Sequence, residues 1–267
     1  MAAGSGLLTP IRNLLQQPLP TAVDHRRMLI VAVVTSVALI INHYLAIQTS
    51  LGEGLQWFAN LTDQSVAPWF RWLRQSPWGT LSGHAWWGMW LLIGYVLVPV
   101  LAIKLLLRES PMEYGLRLND VLHHWRYYAI FGGIMAGMAI LASFNSTFLN
   151  TYPFYHLAGR SWTDLLLWEL IYVMQFFCIE FFYRGFLLRG LQPSLGIGSI
   201  YVSSLVYLTI HLPKPFLECA GSLLFGLILC VLASLSRSIW GGVFVHVCLA
   251  VSMDLLSLFQ RGQLPGQ

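Results

Sequence analysis

Glu180, Arg184, His211 and His246 are chemically capable side chains set inside otherwise apolar stretches of the chain. Glu180 and Arg184 stand four residues apart in WTDLLLWELIYVMQFFCIEFFYRGFLL, residues 162–188. On a helix they share one face with the carboxylate nearer the N-terminus, the favourable order. Within a bilayer each charge alone costs at least a few kcal/mol, so the pair is either a lock between helices or part of a working site. A carboxylate in a low-dielectric site can act as general base on water near neutral pH. A neutral imidazole can orient that water or donate to a developing oxyanion. The same three side chains, Glu180, His211 and His246, would alternatively hold a zinc ion with an open position. Both routes lead to hydrolysis inside a membrane. The plainer alternative is that each histidine satisfies a neighbouring backbone or hydroxyl group.

The elements that must position these residues are membrane spans. Hydrophobic residues make up 57% of the 267-residue chain and charged residues only 10%, too few charges to cover a soluble protein of this size. Several apolar runs approach the roughly 20 residues that cross a hydrocarbon core. Barrel strands would show short alternating segments instead, so the fold class is all-α: a polytopic transmembrane helical bundle of seven to eight spans. A net charge of +4 reports topology before any nucleic-acid partner; the expected surroundings are membrane lipid, with no nucleic acid. Cys178, Cys219, Cys230 and Cys248 show no CxxC spacing and read as buried, inert thiols.

Residues 1–27 are polar, proline-spotted and end in His25-Arg26-Arg27, which places the N-terminus in the cytoplasm. No small-residue cleavage site follows the first apolar run, so that run is read as a retained span rather than a signal peptide. Residues 28–161 hold three spans, Met28–Gln48, Trp86–Leu107 and Tyr127–Phe148. Between the first two lies an aromatic, proline-broken segment, read as an interfacial or re-entrant helix on the outer side or as an ordered capping loop. An eighth span would arise only if residues 54–78 crossed. The GGIMAGMA run of the third span suits close helix packing. The loop 108–126 is charged, with a short helix, and its His123-His124 reads as a solvated pair, since adjacent side chains do not share a helix face. Residues 162–260 hold the motif-bearing spans, Trp162–Leu188, Ile197–Leu212, Phe216–Leu235 and Ile239–Phe259, with a tight turn at 192–198.

At about 1.5 Å per residue, Glu180 lies about 15 Å deep, His246 near 10 Å, His211 near 21 Å and Asp254 about 22 Å. Three spans thus bring polar groups into one slab about 12 Å thick. A proton-coupled transporter would also use such groups, but the chain shows neither an internal repeat nor matched Gly/Pro-broken helices.

Order and spacing of these residues over roughly 162–255 resemble the CPBP family, which includes the type II CAAX prenyl endopeptidases and relatives linked to bacteriocin self-immunity. The family's E-E-x-x-x-R motif is similar to Ile179-Glu180-Phe181-Phe182-Tyr183-Arg184, followed by Gly185; its F-x-x-x-H to Tyr207…His211; its H-x-x-x-N/D to His246…Ala250. The resemblance implies an intramembrane endopeptidase in a bundle of about eight spans, in a bacterial cytoplasmic membrane, acting on a membrane-bound or lipidated protein. Glu180, Arg184, His211 and His246 would be its site. Two positions depart from the pattern. Ile179 replaces the first Glu, to which the family's base role is usually assigned, and Ala250 replaces the polar residue that closes the third motif. Glu169 is on nearly the same face as Glu180 but about 16 Å away along the axis, too far to replace the base; Asp254 is a stand-in for the partner at Ala250. The departures imply the alternative of a non-catalytic relative acting as a binding partner, immunity protein or assembly factor in a membrane complex.

Overall fold

The computed structural model describes residues 8–214 and 216–266. The first seven residues of the N-terminal segment, Pro215 of the turn after His211, and Gln267 lie outside them. Among the described residues the chain is helical, with no strand. In order come α1 (Thr9–Leu15), α2 (His25–Tyr44), α3 (Ser50–Leu61), α4 (Ala67–Gln75), α5 (Gly79–Leu107), α6 (Trp125–Ala142), α7 (Ser146–Thr151), α8 (Trp162–Leu195), α9 (Gly198–Thr209), α10 (Phe216–Ser236) and α11 (Trp240–Gln260). Helices α2, α5, α6, α8, α10 and α11 are long and apolar enough to cross a membrane, and α9 is a shorter apolar helix. The protein is an integral membrane protein with about seven spans. Helices α3 and α4, of 12 and 9 residues, fall short of the roughly 20 needed, so residues 54–78 supply no eighth.

The chain forms two compact units. Among the described residues, unit 1 comprises 8–36, 98–131 and 179–245, and unit 2 comprises 37–97, 132–178 and 246–266. In unit 1, Leu14, Leu188, Ile200, Cys230 and Ala233 form a buried apolar cluster that joins α1, α8, α9 and α10. The Ser203 hydroxyl donates to the Tyr183 carbonyl at 2.6 Å, tying α9 to α8. In unit 2, Leu81, Leu165, Trp168, Tyr172, Ala250 and Leu258 pack around Tyr155. Asp164, in the first turn of α8, closes this unit's polar edge. It accepts from Arg160 at 2.6 and 2.9 Å, from the Tyr155 hydroxyl at 2.8 Å and from the Ser161 hydroxyl. A carboxylate there also suits the helix dipole.

Several boundaries move from those read in the sequence. Helix α5 starts at Gly79 rather than Trp86. Helix α6 stops at Ala142, because the Ser143 hydroxyl turns back to the Ile140 carbonyl and the Asn145 side chain caps α7 by accepting from the Thr147 N–H at 2.8 Å. Helix α8 continues past Leu188, through Pro193, to Leu195 and ends at Gly196, whose φ of 52° suits a residue without Cβ. The turn expected at 192–198 shrinks accordingly. In the small-residue run of α6, Ala139 is buried, but a Cβ at Gly133 or Gly137 would meet no atom within 4 Å, so these two glycines serve no close packing. His124 is buried, with Nδ1 2.9 Å from the Asp120 carbonyl, and only His123 is solvated. Cys178 and Cys230 are buried, but Cys219 is half-buried and Cys248 exposed.

Candidate functional site

Helix α8 is regular up to Glu180 and then becomes a π-helix over Phe181–Leu187, every residue of which is buried. Hydrogen bonds from i to i+5 widen the turn, a geometry frequent at functional sites. Nothing in the apolar periodicity marks this switch. It falls on the motif that carries Arg184 and Gly185. A Cβ at Gly185 would come within 2.6 Å of the Tyr114 carbonyl oxygen, so the glycine lets the loop after α5 approach the π segment.

The Glu180 Oε1 and Arg184 Nη1 atoms are 3.2 Å apart, with side-chain exposures of 1% and 0%. The guanidinium carbon lies 4.1 Å from the centre of the Tyr207 ring, a cation–π contact. The Tyr207 ring is 4.7 Å from the His211 ring, with its hydroxyl 3.5 Å from His211 Nε2. Within unit 1 the sequence-predicted residues therefore form a row: Glu180, Arg184, Tyr207, His211. None of the Arg184 nitrogens makes a well-aligned hydrogen bond, although a guanidinium carries five N–H donors.

The other end of the row rests on residues that sequence reasoning missed. A Cβ on Gly242 would lie 2.2 Å from Glu180 Oε2, and one on Gly241 would lie 2.2 Å from the Tyr128 ring. The bare backbone at the start of α11 thus admits the carboxylate from α8 and the phenol from α6. The Tyr128 hydroxyl is 2.9 Å from the Ser236 hydroxyl. A Gly-Gly pair one turn before His246 was the only signal in the sequence.

His211 lies just past the last residue of α9, Thr209, so it is at the helix end. His246 belongs to unit 2, where its ring stacks on Phe176 at 5.1 Å and 22°. Ala250 packs in the apolar cluster of that unit. Asp254, the stand-in for the missing polar partner there, is taken instead by the Trp168 indole N–H at 2.6 Å. Both Glu169 carboxylate oxygens are buried without a hydrogen bond.

Among the described residues no group of three or more His, Cys, Asp or Glu side chains is placed to hold a metal ion. Glu180 faces Arg184 and His211 faces Tyr207, so the donor set Glu180, His211 and His246 does not fit zinc, and no chemical step is derived through one.

A family model described as type II CAAX prenyl endopeptidase Rce1-like matches residues 160–252, the segment that holds Glu180, Arg184, His211 and His246. Comparison with curated proteins and with solved structures found no match.

Proposed function

We propose that this membrane protein, whose residues 160–252 match a type II CAAX prenyl endopeptidase Rce1-like family model, is an intramembrane endopeptidase acting on a membrane-associated protein or peptide. The observation that carries the reading is the row Glu180–Arg184–Tyr207–His211 inside the matched segment, buried up to its half-buried His211 end. Water attacks the scissile carbonyl, and Glu180 takes the proton that water loses. The C–N bond then breaks, and that proton leaves with the amine. Arg184 fixes Glu180, Tyr207 carries the guanidinium on its face, and the His211 imidazole donates to the oxyanion. His246, in unit 2, carries the third motif of the family and is tested by its own substitution. The N-terminus faces the cytoplasm, and the host membrane is a bacterial cytoplasmic membrane.

The test compares protein termini in membranes from cells with wild-type protein, with Glu180→Gln and with no protein. A product present only with wild type supports the peptidase. Identical termini in wild type and Glu180→Gln, alongside a phenotype of the deletion, refute it. That result would favour a second reading, a binding partner in a membrane complex, which rests on Ile179 and on Ala250 lying in the apolar cluster of unit 2. His211→Ala and His246→Ala are expected to abolish the product without loss of the folded protein.

A further inference from the structure

The N-terminal turn of α2, the segment after α5 and the last turns of α8 enclose a pocket of about 270 Å³ lined by Arg27, Glu109, Glu113, Tyr114, Arg189 and Gln192. All six belong to unit 1. The two arginines in it are handled differently. Arg27 is fully engaged: it donates to Glu109 at 2.6 and 3.0 Å, to the Tyr114 hydroxyl at 2.9 Å and to the Gly190 carbonyl at 2.8 Å. Those bonds from Arg27, with one from Tyr114, hold the Glu109 carboxyl below its usual range, so this wall stays ionised with no net charge. Arg189 donates once, to the Ala233 carbonyl at 3.1 Å. Among the described residues no carboxylate lies within ion-pair distance of it, and its Nε is buried without a hydrogen bond. Glu113, at the rim, is committed to Arg117, and both are more than half exposed.

A half-buried guanidinium without a counter-ion calls for an anion. The pocket's level in the membrane says which. Helix α8 has 34 residues, about 51 Å of rise against a hydrocarbon core of about 30 Å. Its last turns therefore reach the headgroup layer, as do the start of α2 and the end of α5. We propose that this pocket seats the phosphodiester of a membrane phospholipid, with Arg189 and Gln192 facing the phosphate and Arg27 serving as a neutralised wall. A planar guanidinium matches phosphate oxygens two at a time. Inorganic phosphate shares that chemistry and is the alternative source.

The full-length protein in detergent, stripped of lipid, would be titrated with a short-chain phosphatidylglycerol, with diacylglycerol of the same chains and with inorganic phosphate. Bound adducts are read by native mass spectrometry and thermal midpoint by fluorescence. Phosphatidylglycerol is expected to bind and raise the midpoint, diacylglycerol to do neither, and phosphate to bind more weakly. Arg189→Gln should weaken lipid binding about tenfold or more. Glu113→Gln removes a rim carboxylate and should tighten binding by roughly two- to fivefold, a gain that misfolding cannot imitate. Equal retention of diacylglycerol, or phosphate binding as strong as lipid, would overturn the assignment. So would a Glu113→Gln protein with unchanged affinity.

Discussion

Two ion pairs four residues apart, one in each unit, show how differently one spacing can be used. Arg160 and Asp164 stand at the start of α8 with side-chain exposures of 38% and 2%. There the carboxylate is surrounded by donors from Arg160, Tyr155 and Ser161. Glu180, just before the π segment, and Arg184, within it, have side-chain exposures of 1% and 0%, and the guanidinium meets an aromatic face and one carboxylate. The first pair is saturated, which is what a structural lock needs. The second is buried on both sides, so desolvation makes its stabilisation poor for its burial. Such a pair is the kind retained for chemistry or recognition.

The largest expected effect follows from breaking the second pair on one side. Glu180→Ala leaves Arg184 buried without its counter-ion and should destabilise unit 1 by about 3–5 kcal/mol, read as a lowered thermal midpoint, with proteolytic product lost as well. Replacing both partners, Glu180→Met with Arg184→Met, should restore most of that stability, because apolar side chains of similar volume often match a buried ion pair. The double variant should still yield no product. A double variant as unstable as Glu180→Ala would show that the pair is structural after all and erase the contrast with Arg160–Asp164.

Gly242→Ala comes next. The added methyl would lie 2.2 Å from Glu180 Oε2, and overpacking of this kind costs about 1–3 kcal/mol. It should also displace the carboxylate, so product formation should fall further than stability does. Gly133→Ala is the matched control, since a methyl there meets nothing. Equal behaviour of the two would mean that Gly242 is not holding the site open.

These residues also show what a single chain reveals. Long apolar runs announced the spans, and four-residue spacing announced the Glu180–Arg184 contact, because both are local properties. The π segment was invisible, since one widened turn leaves the apolar pattern unchanged. Tyr128 and Gly242 were invisible for another reason: they meet Ser236 and Glu180 across more than 60 residues of chain, and composition carries no such pairing. Gly133 and Gly137 misled outright, because small residues permit close packing without requiring it. Asp254 looked available for His246, and only the Trp168 indole N–H shows that it is engaged elsewhere.

The smaller effects belong to the saturated pair. Asp164→Asn keeps the shape but loses charge-assisted bonds, and should cost about 1–2 kcal/mol in thermal stability with product formation retained. Its pH signature comes from Tyr155. Burial, and then its hydrogen bond to Asp164, push the Tyr155 hydroxyl from 10.0 up to about 12. A folded-state value above the unfolded one means the contribution is fully present below about pH 10 and is lost as pH rises through about 12. Thermal midpoints measured from pH 9 to 12 should therefore decline in wild type more steeply than in Tyr155→Phe, which lacks the titrating hydroxyl. Coincident slopes would mean that Tyr155 does not couple to the Asp164 lock, and the contrast between the two ion pairs would then rest on Arg160 and Ser161 alone.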